Sequence, residues 1–131
     1  MQLYNVHTHI FTIKCTPNNF LGKVSTRFLT IPLINSLLLR LLKVVLPGEK
    51  DFLQKLGNFV AIGSKKSQEM VFQDLMSHYD DDSRYVALTL DMDHMGAGAA
   101  EINYNTQLHE VLRLKLKYMN KLLPYVSVDP R

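Results

Sequence analysis

The sequence predicts an α/β fold in which parallel strands alternate with helices. Three short apolar segments are rich in β-forming residues, and segments with helical periodicity fill the chain between them. The predicted strands cover residues 3–6, 84–92 and 125–129. This order of strand, helices, strand, helix and strand favours β-α-β crossovers, which place successive strands side by side and parallel.

The composition bounds the class of protein. A chain of 131 residues with 47% hydrophobic and 21% charged residues fits a single globular domain with one core. Cys15 is the only cysteine, which excludes an intramolecular disulfide, and no signal peptide is seen at Met1, so we expect a cytoplasmic protein. Cys15 lies in a predicted loop and is interpreted as a small loop residue, not a nucleophile.

The net charge of +3 is unevenly distributed along the chain. Residues 1–66 carry nine basic and two acidic side chains (+7), and residues 67–131 carry six and ten (−4). Such asymmetry can indicate an anionic partner. The basic residues are scattered, without interleaved aromatic residues or a nucleic-acid motif, so we expect no nucleic-acid binding.

Two histidines follow the first predicted strand. Side chains alternate along a strand, so His7 and His9 are predicted to point to one face, about 7 Å apart along the backbone. The apolar residues before them predict a buried strand, and the carboxyl end of such a strand is where parallel α/β folds place their active sites. Two imidazoles on one face can share a metal ion, although a pair of this kind is also common as a structural or surface feature.

Residues 31–46 form the most apolar segment of the chain. Thr30 and Pro32 predict a helix start, and Ser36, Arg40 and Lys43 give the helix only a narrow polar stripe. Sixteen residues at ~1.5 Å rise reach roughly 24 Å, too short for ~30 Å of hydrocarbon, so no transmembrane segment is predicted. We expect this helix to be buried against its own chain or a second copy, with membrane-surface association as the alternative.

Three further helices are predicted. One runs from Phe52 up to Gly63, one starts at Ser64 or Ser67, and one covers residues 106–123, where Pro124 ends it. His78 near the end of the second of these is interpreted as a cap for the helix dipole.

The small residues after the second strand superficially suggest a dinucleotide-binding loop. Gly96 and Gly98 follow residues 84–92, but Glu101 occupies the third glycine position and the next helix begins too late to receive a phosphate. We therefore expect a flexible loop beside an active-site mouth. Asp93 and His94 at this strand end, and Asp129 at the next, could line the same mouth.

Three fragments together resemble a known family. His7-Thr8-His9 after the first strand, residues 85–91 as the second and residues 124–131 as the third are similar to the N-terminal part of the metal-dependent amidohydrolase superfamily. The branch is amidohydrolase 2, which includes decarboxylases of carboxymuconate-semialdehyde type. The resemblance implies a (β/α)₈ TIM barrel in which His7 and His9 are ligands of a catalytic divalent metal, usually zinc.

The resemblance covers only the start of such a barrel. The family's remaining metal-site residues, two histidines and an aspartate, lie on later strands, and a barrel needs about 250 residues. We therefore expect a single partial domain, 1–131, the N-terminal fragment of a longer hydrolase, with a helical insertion at 30–80 between strands 1 and 2.

The sequence thus predicts a metal-dependent hydrolase or decarboxylase whose complete form acts on a small-molecule substrate. With two ligands, the chain itself is expected to bind zinc weakly and to be inactive alone. The alternative is a non-catalytic, oligomerising or partner-binding α/β module. Self-association is expected in either case, because an incomplete barrel leaves the edge of the last strand open.

Overall fold

A computed structural model describes residues 3–20 and 50–126, together with residues 26, 28, 31, 36, 37, 40 and 41. Three strands are present in this part of the chain: β1 (Tyr4–Thr8), β2 (Arg84–Leu88) and β3 (Leu122–Tyr125). Its named α-helices are α1 (Lys50–Gly63), α2 (Gln68–Met76) and α3 (Tyr104–Lys117), and a 3₁₀ helix covers Ile13–Cys15.

The three strands form one parallel sheet in the order β1-β2-β3. Helices α1 and α2 connect the first two strands, and α3 connects β2 to β3. The predicted α/β class with parallel strands is therefore confirmed. β2 is the central strand, and residues of both its faces are at least half-buried along its whole length. Its sequence agrees with this position, because a strand covered on both faces is nearly continuously apolar.

Helices α2 and α3 pack against one face of the sheet. Tyr85 and Ala87 of β2 are almost fully buried in a cluster with Phe72 of α2 and Val111 of α3. The Phe72 ring meets the Tyr85 ring edge to face, with 5.4 Å between centroids. A separate small cluster joins α1 to the 3₁₀ helix through Val60 and Ile13.

Both helices of the main cluster begin at side-chain caps. Ser67 accepts a hydrogen bond from the Met70 backbone N–H, and Asn103 accepts one from Thr106. Of the two serines proposed as the start of α2, the structure selects Ser67. Each cap satisfies a backbone donor that has no partner within its own helix.

The prediction that β1 is buried is wrong. β1 is an outer strand of the sheet, and Val6 is 68% exposed on the face opposite the helices. An apolar run along a strand indicates a fully buried strand only when other elements cover both faces of the sheet. The described helices cover only one face of this sheet.

The third strand begins earlier than predicted. β3 is Leu122–Tyr125, α3 ends at Lys117, and residues 127–129 of the predicted strand lie outside the described part of the chain. Pro124 lies within β3, not after a helix. It is tolerated because β3 is an outer strand. The carbonyl oxygens of Lys121 and Tyr125 accept hydrogen bonds from β2 and from the residue directly after it. Pro124 alternates with these two residues along β3, so its nitrogen points away from β2 and no hydrogen bond is lost.

Most of the predicted helix 31–46 lies outside the described residues. Of the positions that are described, Leu37 and Leu41 are both helical and are 66% and 58% exposed, so the single chain does not bury them. Within the described residues, no helix is long and apolar enough to cross a membrane.

Candidate metal centre

β1 contains an irregularity just before its end. Asn5 is opposite Tyr85 and Thr8 is opposite Ala87, so three steps along β1 correspond to two steps along β2. One extra residue therefore bulges from β1 between Asn5 and Thr8. Such bulges re-aim side chains and are common near functional sites.

The two predicted histidines lie together beside this bulge. The Nε2 atoms of His7 and His9 lie 3.1 Å apart, with ring centroids separated by 4.9 Å and planes at 82°. The prediction that the imidazoles lie side by side at the carboxyl end of a parallel strand next to β2 is confirmed. The ring nitrogens are closer to each other than the predicted backbone spacing of about 7 Å, because the two side chains converge.

A hydrogen bond to the neighbouring strand fixes the His9 ring. Its Nδ1 donates to the Leu88 carbonyl at 3.1 Å, and since a carbonyl can only accept, the proton of neutral His9 is on Nδ1. Nε2 of His9 therefore carries a lone pair directed toward His7. Metal-bound histidines usually donate their second ring nitrogen to a carbonyl or carboxylate in this way.

The separation of the two Nε2 atoms matches both a hydrogen bond between the rings and the distance between two ligands of one metal ion. Two nitrogens at about 2.0–2.1 Å from a shared ion are roughly 3 to 3.4 Å apart for angles between 90° and 109°, a range that includes the observed distance. Among the described residues, however, no group of three or more histidine, cysteine, aspartate or glutamate side chains could hold a metal ion.

The other acidic and histidine residues at the strand ends do not complete the site. Asp91 accepts a hydrogen bond from the Asp93 backbone N–H, and Asp93 accepts one from Tyr104, so both carboxylates serve the turn that leads into α3. His94 is exposed in the same loop, and Asp129 lies outside the described residues.

A cavity of about 410 Å³ lies beside the histidine pair, between β1 and α2. His7 and His9 line it together with Asp74 and His78, which the sequence analysis did not assign to a site. The Nδ1 of His78 donates to the Asp74 carbonyl at 2.7 Å, which agrees with its predicted role as a helix cap. No sequence pattern indicated that α2 faces the histidines, because this depends on helix packing.

A second cavity of about 190 Å³ adjoins the first. His9 and Ile62 line both, and the second is completed by Phe11, Phe59 and Gly63. The Phe11 and Phe59 rings are in contact, with 6.1 Å between centroids.

The glycine-containing loop after β2 is held by backbone hydrogen bonds to the loop after β1. Asn18 and Asn19 donate to the carbonyls of Ala99 and Ala97. Helix α3 begins at Tyr104, capped by the Asn103 side chain, so Gly98 is not at the helix terminus and the loop lacks the geometry of a phosphate site.

Cys15 is buried in the 3₁₀ helix Ile13–Cys15, which lies in the segment after β1. Burial raises the pKa of its thiol, and the hydrogen bonds from Thr12 only partly oppose this effect. A buried thiol with a raised pKa is a poor nucleophile, which agrees with the interpretation that Cys15 is not a nucleophile.

Comparison with family models, with curated proteins and with solved structures found no match. The resemblance to the amidohydrolases therefore stays a prediction from three short fragments of sequence.

Proposed function

We propose that His7 and His9 bind a divalent metal ion, with zinc as the preferred ion, and that the chain is part of a metal-dependent hydrolase. The observation that carries the proposal is the 3.1 Å separation of the two Nε2 atoms, combined with the His9 Nδ1 bond to Leu88. This arrangement fixes one ring in the tautomer that a metal requires and brings the second nitrogen within reach of the same ion.

The chain's own residues hold this geometry before any ligand binds. Asn5 accepts a hydrogen bond from the His7 backbone N–H at 3.3 Å, which stabilises the backbone within the bulge. Leu88 orients His9 from the central strand, and Asn5 itself donates to the Tyr79 hydroxyl on the helix side. When bound, zinc acts as a Lewis acid and lowers the pKa of water toward neutrality, the chemistry that hydrolases use.

The arrangement of the layers supports a barrel as the parent fold. α2 and α3 pack on the same face of the sheet, whereas doubly wound α/β folds place helices on both faces. The histidine pair lies at the carboxyl end of β1, the end at which barrel enzymes carry their active sites. The further metal ligands would come from later strands of a complete barrel, so we expect weak zinc binding and no turnover by this chain alone.

Zinc titration of metal-free protein tests the proposal. We expect about one zinc per chain with an affinity weaker than that of a site with three protein ligands, and loss of this binding in the His7→Ala/His9→Ala variant. His109→Ala is the matched control, because His109 is exposed on α3 and far from the pair in the fold. Equal zinc binding by the double variant and the parent, or none by the parent, would contradict the proposal.

A partner-binding module is the second candidate function. Its support is that Val6 of β1 and Tyr125 of β3 are 68% and 63% exposed on the face of the sheet opposite the helices. Exposed apolar residues on outer strands favour pairing with another chain. This function requires no metal, so the zinc titration separates the two candidates.

A further inference from the structure

The two cavities beside the histidine pair meet at common residues. His9 and Ile62 line both the 410 Å³ cavity and the 190 Å³ cavity. One cavity therefore extends from His9 toward α2 and the other toward the end of α1. A molecule bound at the histidine pair has space on two sides.

Apolar atoms make up most of the surface of both cavities, although polar side chains such as His7, His9 and Asp74 also line the larger one. Val71, Leu75 and the Tyr79 ring line the larger one, and Phe11 and Phe59 line the smaller one. Small-molecule sites are typically apolar with a few polar groups that fix orientation. Each cavity is thus suited to an apolar group.

The charged residue in the larger cavity already has a partner. Asp74 forms an ion pair with Lys65 at 3.1 Å, and its backbone carbonyl accepts from His78. The cavity therefore does not require a cationic ligand to balance Asp74. A neutral molecule fits these surroundings best.

Thr8 lines the larger cavity, and its hydroxyl oxygen is buried beneath the cavity wall. It is 6% exposed, and its hydroxyl has no hydrogen-bond partner among the residues the structure describes. A buried hydroxyl without a partner is unfavourable, and rotation about χ1 exchanges the positions of its hydroxyl and methyl groups. An oxygen or N–H of a bound molecule would supply the missing partner.

We infer that the two cavities form one cleft for a neutral molecule with an apolar group at each end and a short polar link between them. The link lies beside His9 and Thr8, and each apolar end occupies one cavity. Naming this molecule as a substrate rests on the proposed function, but its binding to the cleft requires no metal.

The probe for this inference is benzanilide, in which an amide joins two phenyl rings. It is titrated into the full chain in the presence of a chelator, and binding is followed by NMR through the amide signals of Leu75 and Phe59, one in each cavity. We expect both signals to shift in the same titration. Benzamide, which has one ring, is expected to bind more weakly.

Ile62→Trp tests the cleft by filling the junction. Because a phenyl ring that cannot be buried loses roughly 1.5 kcal/mol or more, the substitution should weaken benzanilide binding about tenfold. Leu112→Trp is the matched control: Leu112 is also on a helix, is 43% exposed against 44% for Ile62, and lines neither cavity. Thr8→Val should weaken binding about fivefold and Thr8→Ser should not, since only the first removes the hydroxyl.

The outcomes separate this inference from the proposed function. Absence of benzanilide binding, or equal binding by Ile62→Trp and Leu112→Trp, overturns the cleft whatever the zinc titration shows. Shifts at Leu75 and Phe59 that Ile62→Trp abolishes support the cleft, even if the histidine pair binds no zinc.

Discussion

Gln68 donates both its backbone N–H and its side-chain amide to the carboxylate of Glu110, at 3.1 and 2.9 Å. The same side-chain amide also donates to the Gln107 carbonyl at 3.0 Å. Gln68 is 1% exposed at the first position of α2, so these bonds satisfy a buried amide and link α2 to α3.

Gln68→Leu is therefore expected to destabilise the protein. The substitution removes the side-chain donor from the partly buried carboxylate of Glu110 and from the carbonyl of the buried Gln107, which costs about 1–3 kcal/mol of unfolding free energy. Urea denaturation measures the change. Gln54→Leu is the control, because Gln54 is exposed on α1 and should change stability little; equal effects of the two substitutions would contradict the role of Gln68.

The second prediction concerns the pH response of an exposed link between the same helices. Hydrogen bonds from Lys117 at 2.6 Å and from the Tyr118 hydroxyl at 2.8 Å lower the pKa of the Glu69 carboxyl. Because the folded-state pKa is depressed, the small stabilisation is present above the ordinary pKa of glutamate and is lost as the pH falls through the folded-state value.

An NMR titration of the Glu69 carboxyl measures this directly. We expect its midpoint below the ordinary glutamate value in the parent, and a shift toward that value in Lys117→Met. Lys115→Met is the control, since Lys115 bonds to the Met119 carbonyl and not to Glu69. An unchanged midpoint in Lys117→Met would rule out the ion pair as the main cause.

The third prediction concerns the loop after β2. Gly98 has a φ of +82°, and a Cβ there would lie 3.5 Å from the Asn19 side chain. The backbone conformation, more than this contact, penalises other residues, so Gly98→Ala should cost about 1–2 kcal/mol. Gly98→Asn should cost less, because asparagine tolerates this conformation, and thermal unfolding of both variants provides the comparison. A larger loss for Asn than for Ala would indicate crowding instead.

The fourth prediction is self-association through the sheet. Val6 and Tyr125 expose apolar surface on the two outer strands, so we expect sedimentation velocity at tens of micromolar to show dimers or larger species. Val6→Lys should shift the distribution toward monomer. Leu116→Lys, at a position 74% exposed on α3, should not. A monomeric parent protein would exclude this association at that concentration.

The sequence was sufficient to predict the parallel sheet, because strand and helix periodicities alternate clearly along the chain. It also identified the histidine pair, since two imidazoles after a strand are visible as a local pattern. The boundaries of β3 were missed because a proline after a helical pattern usually marks the helix end, and only the position of β3 at the edge of the sheet explains why Pro124 can lie within it.

The bulge and the exposure of β1 could not be predicted from local patterns. The bulge depends on how Asn5 and Thr8 align with Tyr85 and Ala87, some eighty positions away, and no spacing rule within residues 3–9 specifies that alignment. The contribution of α2 to the cavity was missed for the same reason, because it arises from packing between distant segments.

The bond between His9 and Leu88 also has a consequence for the time at which the histidine pair forms. The carbonyl that orients His9 is supplied by a residue 79 positions later in the chain. During synthesis, the ribosome releases β1 well before β2, and until β2 arrives His9 has neither its hydrogen-bond acceptor nor its neighbouring strand. A nascent chain that ends before Leu88 therefore carries both histidines without the geometry that brings them together.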